Sequence, residues 1–247
     1  MMKRLFTLML TLPILLISCS KSDKPDEGRD NDPEENNPFP DCLVTKVERQ
    51  GFDPIILTYD NNKRIINHKF GTIENTYSYS GNTINTVNIT LGLQRFQRTI
   101  TLNEHGLAVK VRTDNRNLSW SEEIYEYEGT QVVKKSTKTD LNPNFVITRY
   151  LWQDGNMVEE HAPGGKITRY TFDKTKPFQP GEHLGRVDLE MGYTVVRNKN
   201  RMISVTDYLG ITVTHGFVED DQGRITHESY RYSTGSNWTE KITYKCP

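Results

Sequence analysis

The places where this 247-residue chain could do chemistry are three cysteines, six histidines and a scatter of paired acids. His68, His105, His161, His183, His215 and His227 fall in no HExxH, HxH or Cys/His spacing that would gather a zinc ion. There is no Gly-x-Ser-x-Gly elbow, no P-loop and no dinucleotide glycine pattern. Glu122-Glu123 and Glu159-Glu160 are adjacent in strand-like stretches. Neighbours in a strand point to opposite faces, so neither pair converges as an acid/base dyad, and a carboxylate site would need acids from distant strands. Glu219-Asp220-Asp221-Gln222-Gly223 has the acids of a calcium loop without its ligand spacing or distal Glu. A hairpin turn explains the same residues. The reading is therefore no catalytic residue, no metal and no cofactor.

The aromatics are the other candidates. Trp120 follows Asn117-Leu118-Ser119, and Trp238 follows Ser236-Asn237. Tryptophan beside Asn117 and Asn237 could make a platform for a sugar or a peptide. The alternative is that both rings anchor strand starts against the core. Tyr77, Tyr79, Tyr125, Tyr127, Tyr150 and Tyr170 are expected to fill an interior, with hydroxyls reaching water or backbone.

What positions these residues is a repeat. An apolar or aromatic strand end, a polar turn and an apolar strand start recur, most clearly in Ile56-Leu57-Thr58-Tyr59-Asp60-Asn61-Asn62-Lys63-Arg64-Ile65. Eight copies align on Tyr59, Tyr79, Leu102, Tyr127, Trp152, Phe172, Val196 and Val218, at steps of 20 to 26 residues, and Tyr244 is a ninth strand end. Such a period marks tandem supersecondary units. The turns are rich in Gly, Asn and Asp, which tolerate the positive φ of tight hairpins. The flanks alternate apolar and polar, the mark of half-buried strands. The expectation is an all-β antiparallel meander of hairpins, about 12–16 strands, closed into a soluble barrel over residues 42–247. We name the repeat turns end A and the intervening loops end B. The alternation breaks at Asp173–Gly181, which with two prolines predicts a long end-A loop, with strands resuming near Gly185-Arg186-Val187-Asp188-Leu189.

The N-terminus reads differently. Met1-Met2-Lys3-Arg4 is basic, Leu5 to Ile17 is apolar and too short to span a bilayer, and Leu16-Ile17-Ser18-Cys19 follows. This resembles the lipobox of bacterial lipoproteins, which implies a signal peptide at 1–18 and lipidation (a palmitate-bearing anchor) on Cys19. Residues 20–41 contain four prolines and no Leu, Ile, Val or Met, with three bases against eight acids. That composition cannot bury a core and predicts a disordered acidic tether over 19–41. The acidic run also resembles the export signal of Bacteroides-type surface lipoproteins, which implies display at the outer membrane. Residues 42–247 carry 26 bases and 24 acids, which gives no electrostatic case for nucleic acid.

Cys42 and Cys246 stand at the two ends of the barrel domain. An exported chain meets an oxidising compartment, and counting turns brings both cysteines to end A, so they are expected to form a disulfide. The tether enters at Cys42, so end A should face the membrane.

The lipobox, the Tyr-Asp-turn-Arg-Ile repeats, Tyr170-Thr171-Phe172-Asp173-Lys174-Thr175-Lys176-Pro177-Phe178 and Arg197-Asn198-Lys199-Asn200-Arg201 together resemble a Bacteroides-type lipoprotein family. That family is a domain of unknown function with a porin-like fold, and the resemblance covers roughly residues 42–247. It implies a barrel and no activity. The repeats are also similar to the tyrosine-aspartate repeats of bacterial shell-forming toxins, an alternative architecture. The functional expectation is a non-catalytic surface module whose outward mouth binds a glycan or polymer. The alternatives are a hydrolase with an assembled carboxylate site and a structural component partnered by an envelope protein.

Overall fold

A computed structural model describes residues 41–247. The segments expected to be a signal peptide (1–18), a lipidated Cys19 and a tether lie, up to residue 40, outside the described residues.

The first eight strands are β1 (Leu43–Arg49), β2 (Ile55–Tyr59), β3 (Ile65–Phe70), β4 (Ile73–Ser80), β5 (Thr83–Thr90), β6 (Leu93–Leu102), β7 (Ala108–Asn115) and β8 (Trp120–Glu128). Then come β9 (Gln131–Thr139), β10 (Val146–Gln153), β11 (Asn156–Ala162), β12 (Lys166–Pro177), helix α1 (His183–Met191), β13 (Asn200–Thr206), β14 (Thr212–Glu219), β15 (Ile225–Tyr232) and β16 (Asn237–Lys245). Each strand pairs with its neighbours in sequence, and β1 pairs with β16, so the sheet closes with sixteen strands. Val47 faces Ile242 and Arg49 faces Glu240 across the closing seam. Closure leaves no edge to template aggregation. Cys42 and Cys246 form a disulfide at end A beside that seam.

The repeat has a physical meaning at both of its halves. In the turns, one acid or amide heads a four-residue loop and satisfies it. Asp60 Oδ1 accepts from the amides of Asn62 and Arg64, each at 2.9 Å. Asn103, Asp207 and Asp220 accept from the amides two and four residues on in the same way. The residue three places after each head has positive φ: Lys63, Gly106, Gly210 and Gly223. Arg64 and Arg224 also donate Nε to the head aspartate's other oxygen, at 2.8 and 2.7 Å. Asp220 is thereby fully occupied by its own turn.

In the strands, the anchor aromatics tie hairpins together. Tyr59 donates its hydroxyl to the Val44 carbonyl at 2.7 Å, Tyr79 to Ile65 at 2.8 Å and Tyr127 to Ala108 at 2.7 Å. Trp152 Nε1 donates to the Val132 carbonyl at 2.7 Å. In each case a side chain from an even-numbered strand bonds the backbone of the preceding one, low in the lumen at end A. The expectation that tyrosines fill the interior with their hydroxyls on backbone holds for these rings.

The wall has an inner and an outer face set by the pleat. Val44, Leu57, Ile84, Ile100, Val111, Val132 and their like point inward and form one buried cluster. The outer face carries ion pairs at mid-strand: Glu122 with Lys110 and Lys138, each at 2.8 Å, and Glu126 with Lys134 at 2.7 Å. A bilayer-spanning barrel carries its apolar band outside, and charge at mid-height there is costly. On β7 to β9 this barrel carries such charges on its outer face.

Three expectations require correction. Asp173–Gly181 is not one long loop: β12 continues through Pro177. Nor do strands resume at Gly185. The connection from 178 to 199 folds into the barrel at end A as a plug, with α1 at its centre. Gly185-Arg186-Val187-Asp188-Leu189 alternates, but a nine-residue segment is too short a sample to separate helix from strand by period. Glycine permits the turn of this segment: Gly192 ends α1 at φ 78°, and a Cβ there would sit 2.3 Å from the Tyr77 ring. Val196 and Asn198–Asn200 likewise do not form a strand end and hairpin. Thr194 bridges in parallel to Leu107, and Lys199 donates its amide to the Gly155 carbonyl at 2.9 Å. Asn198 Oδ1 accepts the Met157 amide at 2.8 Å. The asparagines that read as turn residues splice the plug to the wall.

Candidate functional site: the lumen above the plug

The plug closes end A. Gln179 bridges the β14–β15 turn, donating to the Gly223 carbonyl at 2.9 Å and accepting the Ile225 amide at 3.2 Å. Tyr193 and Val195 join the buried apolar cluster. Above it, on the inner face of α1, sits Arg186. Its guanidinium pairs with Glu228 and Glu240 at 2.6 Å each, and it also donates to the Tyr230 hydroxyl and the Gly181 carbonyl. Glu228 accepts in addition from His215 Nδ1 at 2.7 Å. Burial alone would raise the Glu228 carboxyl, but His215 and the Arg186 charge outweigh it and hold Glu228 below the usual carboxylate range. The network pins the helix to β14, β15 and β16.

Between α1 and the wall formed by β1 to β4 and β16 lies a cavity of about 390 Å³. It reaches from Arg186, Val187 and Glu190 on the helix to Phe52 and Asp53 in the β1–β2 loop at end B. This is the size of a small-molecule site. One side is apolar, with Ile55, Phe70 and Ile73; the other presents Arg49, His68, His183, Glu190 and Glu240. Burial pushes Glu190 up to about 7 and His183 down to about 4. Burial also lowers His68, so both imidazoles favour the neutral form at neutral pH. Glu182, at the start of α1, is 1% exposed with neither carboxyl oxygen partnered, and burial raises it well above its usual value.

The sequence candidates fall elsewhere, and apart from one another. Trp120 shares its strand face with Glu122, and Arg112 stacks over its ring at 4.1 Å, so it lies on the outer wall. Trp238 faces Tyr230 across the ladder and stacks on it at 5.1 Å, inside the barrel. The two rings are on opposite faces of strands eight apart and share no platform. Asn117 Oδ1 accepts from the Ser119 amide and hydroxyl, serving its own turn, and Asn237 pairs with Arg231 and is exposed. Of the four, Trp238 adjoins the cavity, through Arg49 at 5.0 Å. The residues missed, Arg49, His68, Arg186 and Glu190, are single polar positions in otherwise ordinary strands and helix. The signal available was a charge at an inward position of an alternating strand, as Arg49 is two residues beyond Val47.

A closed antiparallel barrel with an internal helix defines a porin-like architecture. The chain is similar to the crystal structure of a porin-like protein from Bacteroides vulgatus, with TM-score 0.59 and 16% identity over 82% of this chain and 99% of that one. It is also similar to a porin-like protein from Bacteroides uniformis, with TM-score 0.61 and 11% identity over 86% of this chain and all of the other. At these identities the likeness is one of fold. No protein-family model matches the sequence, and no curated protein matches it.

Proposed function

We propose that the chain is a lipid-tethered envelope barrel that binds a small ligand in its lumen without transforming it, with the mouth at end B directed away from the membrane. The observation that carries this is the cavity itself: a plug pinned by a buried ion network closes end A, and polar side chains including Arg49, His68 and His183 line the space that reaches end B. The outer ion pairs support a barrel that stands in water, and the lipobox-like segment supports a tether at the Cys42 end. An apolar wall opposite polar groups suits a glycan unit, whose faces are themselves part apolar.

The test is occlusion. With the full chain in detergent, Ile73→Trp should fill the cavity and abolish binding of any ligand found by thermal-shift or glycan-array screening. Trp120→Ala, on the outer wall, should leave binding intact. The converse result would move the site outside.

A second reading, a hydrolase, is favoured by one observation: Glu190 and Glu240 both line the cavity, with Glu190 raised toward an acid's working range. Against it, Glu240 Oε2 already accepts from Arg186 at 2.6 Å and from the Tyr230 hydroxyl at 2.9 Å, which leaves a poor base. Turnover of nitrophenyl glycosides lost in Glu190→Gln would establish this reading instead.

A further inference from the structure

We propose that the outer rim at end B, over β6 to β10, is a lipid-binding face, with leucine tips that enter a bilayer and arginines that meet its phosphates.

The two ends of the barrel use the same turn with different tips. Asp60-Asn61-Asn62-Lys63, Asn103-Glu104-His105-Gly106 and Asp220-Asp221-Gln222-Gly223 are end-A loops with polar middle positions. Asp207-Tyr208-Leu209-Gly210 at end B closes with the same backbone bonds, and Asp207 Oδ1 accepts from the Leu209 and Ile211 amides. Its tip is nevertheless apolar. Asn115-Arg116-Asn117-Leu118 closes in the same way, with leucine at the positive-φ place. Leu91 and Leu141 cap the loops on either side of it. Leu91, Leu118 and Leu141 are 67%, 91% and 92% exposed, and Leu91 also has positive φ, a costly conformation for leucine. Among the described residues, no exposed large apolar side chain lies in an end-A turn. The same turns form at end A without leucine, so the fold does not require these tips.

Below the tips the outer wall is basic and aromatic. Arg95 and Arg116 oppose each other at the end of the β6–β7 ladder, where the Arg116 amide donates to the Arg95 carbonyl at 2.9 Å. Both side chains are exposed, and neither has an ion-pair partner among the described residues. Like charges opposed across a ladder repel, and an anion between them relieves that. Trp120 lies on the same outer face, with Arg112 over it at 4.1 Å and Lys138 at 6.0 Å; Lys138 is also 4.9 Å from the Phe145 ring. The nearby acids are engaged. Asp114 pairs with Arg112 at 2.9 Å, Glu122 with Lys110 and Lys138 at 2.8 Å each, and Asp140 accepts the Trp120 amide at 3.4 Å. Arg95 and Arg116 are the unspent charge.

Leucines outermost, then a tryptophan with bases, is the order of a bilayer interface: hydrocarbon, headgroup, phosphate. A protein partner would need pockets matched to three separate convex tips, whereas a fluid bilayer takes them at any spacing. With the tether at end A, the lipid met at end B belongs to a surface other than the one holding the anchor.

The test uses the chain from residue 20, which keeps the whole closed barrel and lacks the lipid-bearing cysteine. Vesicles are phosphatidylcholine alone or mixed with phosphatidylglycerol. Cosedimentation should show binding to the mixed vesicles. It should weaken about tenfold or more in Leu118→Asn combined with Leu141→Asn, and likewise in Arg95→Gln combined with Arg116→Gln. Chain-brominated lipid should quench fluorescence in the wild type and not in Trp120→Phe, because Trp152 and Trp238 lie inside the barrel. All four substituted side chains are exposed, so circular dichroism should show both double variants folded. Absence of binding, binding indifferent to both double variants, or unquenched Trp120 overturns the proposal. So does a dimer in sedimentation velocity that forms through these leucines while vesicles stay unbound. None of these side chains lines the cavity, so either overturning result leaves the lumenal reading standing.

Discussion

Arg186 Nη1 on the plug helix stands 2.6 Å from Glu228 Oε2 on β15, and the two side chains are 4% and 0% exposed. Such a pair adds little net stability over a well-packed apolar pair, yet removing one partner strands the other as a buried charge. Arg186→Met should therefore cost about 3–5 kcal/mol in urea unfolding. Hydrogen exchange should show the amides of Tyr193 and Val195 opening before those of β4 to β8. Arg186→Met combined with Glu228→Gln should recover part of the loss, because the two residues share one network. Equal protection of plug and wall in the single variant would mean the plug is not a separate unit.

Glu190 gives a pH dependence of defined sign. Its folded value is raised from 4.5 to about 7, first by burial, with Glu240 adding to and Arg186 opposing the rise. Around the cavity it shares space with Arg49, Asp53, His68, His183, Arg186 and Glu240. A raised carboxyl favours the protonated fold, so its contribution is full below pH 4.5 and is lost as pH climbs to about 7. Glu182 and Asp188, also raised by burial, push in the same direction. His183 and His68, lowered by burial, push the other way, so Glu190 shows as a difference: the slope of unfolding free energy against pH from 5 to 7 should be more positive in Glu190→Gln than in the wild type. A slope unchanged in Glu190→Gln would remove Glu190 from the account.

The barrel was legible because the same physics is written many times. A head residue such as Asp60 or Asp220, a positive-φ position three on, and an anchor ring such as Tyr59 or Tyr127 each leave a local mark. Parity brought Cys42 and Cys246 to the same end, and the pairing of β1 with β16 then closes the sheet. The plug was not legible: Gly185–Leu189 carries a strand's alternation, and what makes it a helix is Glu228, Tyr230 and Glu240 gripping Arg186 from 42 to 54 residues away. The site was missed for the same reason. Trp120 and Trp238 attract notice by type, whereas Arg49 and His68 matter only through neighbours that the barrel brings round.

The anchor bonds can be priced individually. Tyr127→Phe removes the donor to the Ala108 carbonyl, which is 2.7 Å away at a fully buried residue, and leaves that acceptor short. The loss should be about 1–2 kcal/mol in the unfolding midpoint, with Tyr59→Phe and Tyr79→Phe similar and roughly additive. Phenylalanine keeps the packing, so a near-zero effect would show the ring rather than the hydroxyl to be what the repeat conserves within the chain.

Leu118 lies at the tip of the β7–β8 turn, 91% exposed, with φ at 69°. A bulky side chain in the left-handed region costs about 1–2 kcal/mol, and here no burial offsets it. Asn117 Oδ1 accepts the Ser119 amide and hydroxyl, and Asn115 Nδ2 donates to that hydroxyl, so the loop keeps its shape without leucine. Leu118→Gly should therefore raise the unfolding free energy by about 1 kcal/mol, and Leu118→Asn by somewhat less. Leucine gives nothing to the folded monomer here, so a stabilised Leu118→Gly that loses ligand or envelope binding would show that the tip contacts something outside the barrel. A destabilised Leu118→Gly would instead mean that the leucine packs in solution against a surface of this chain.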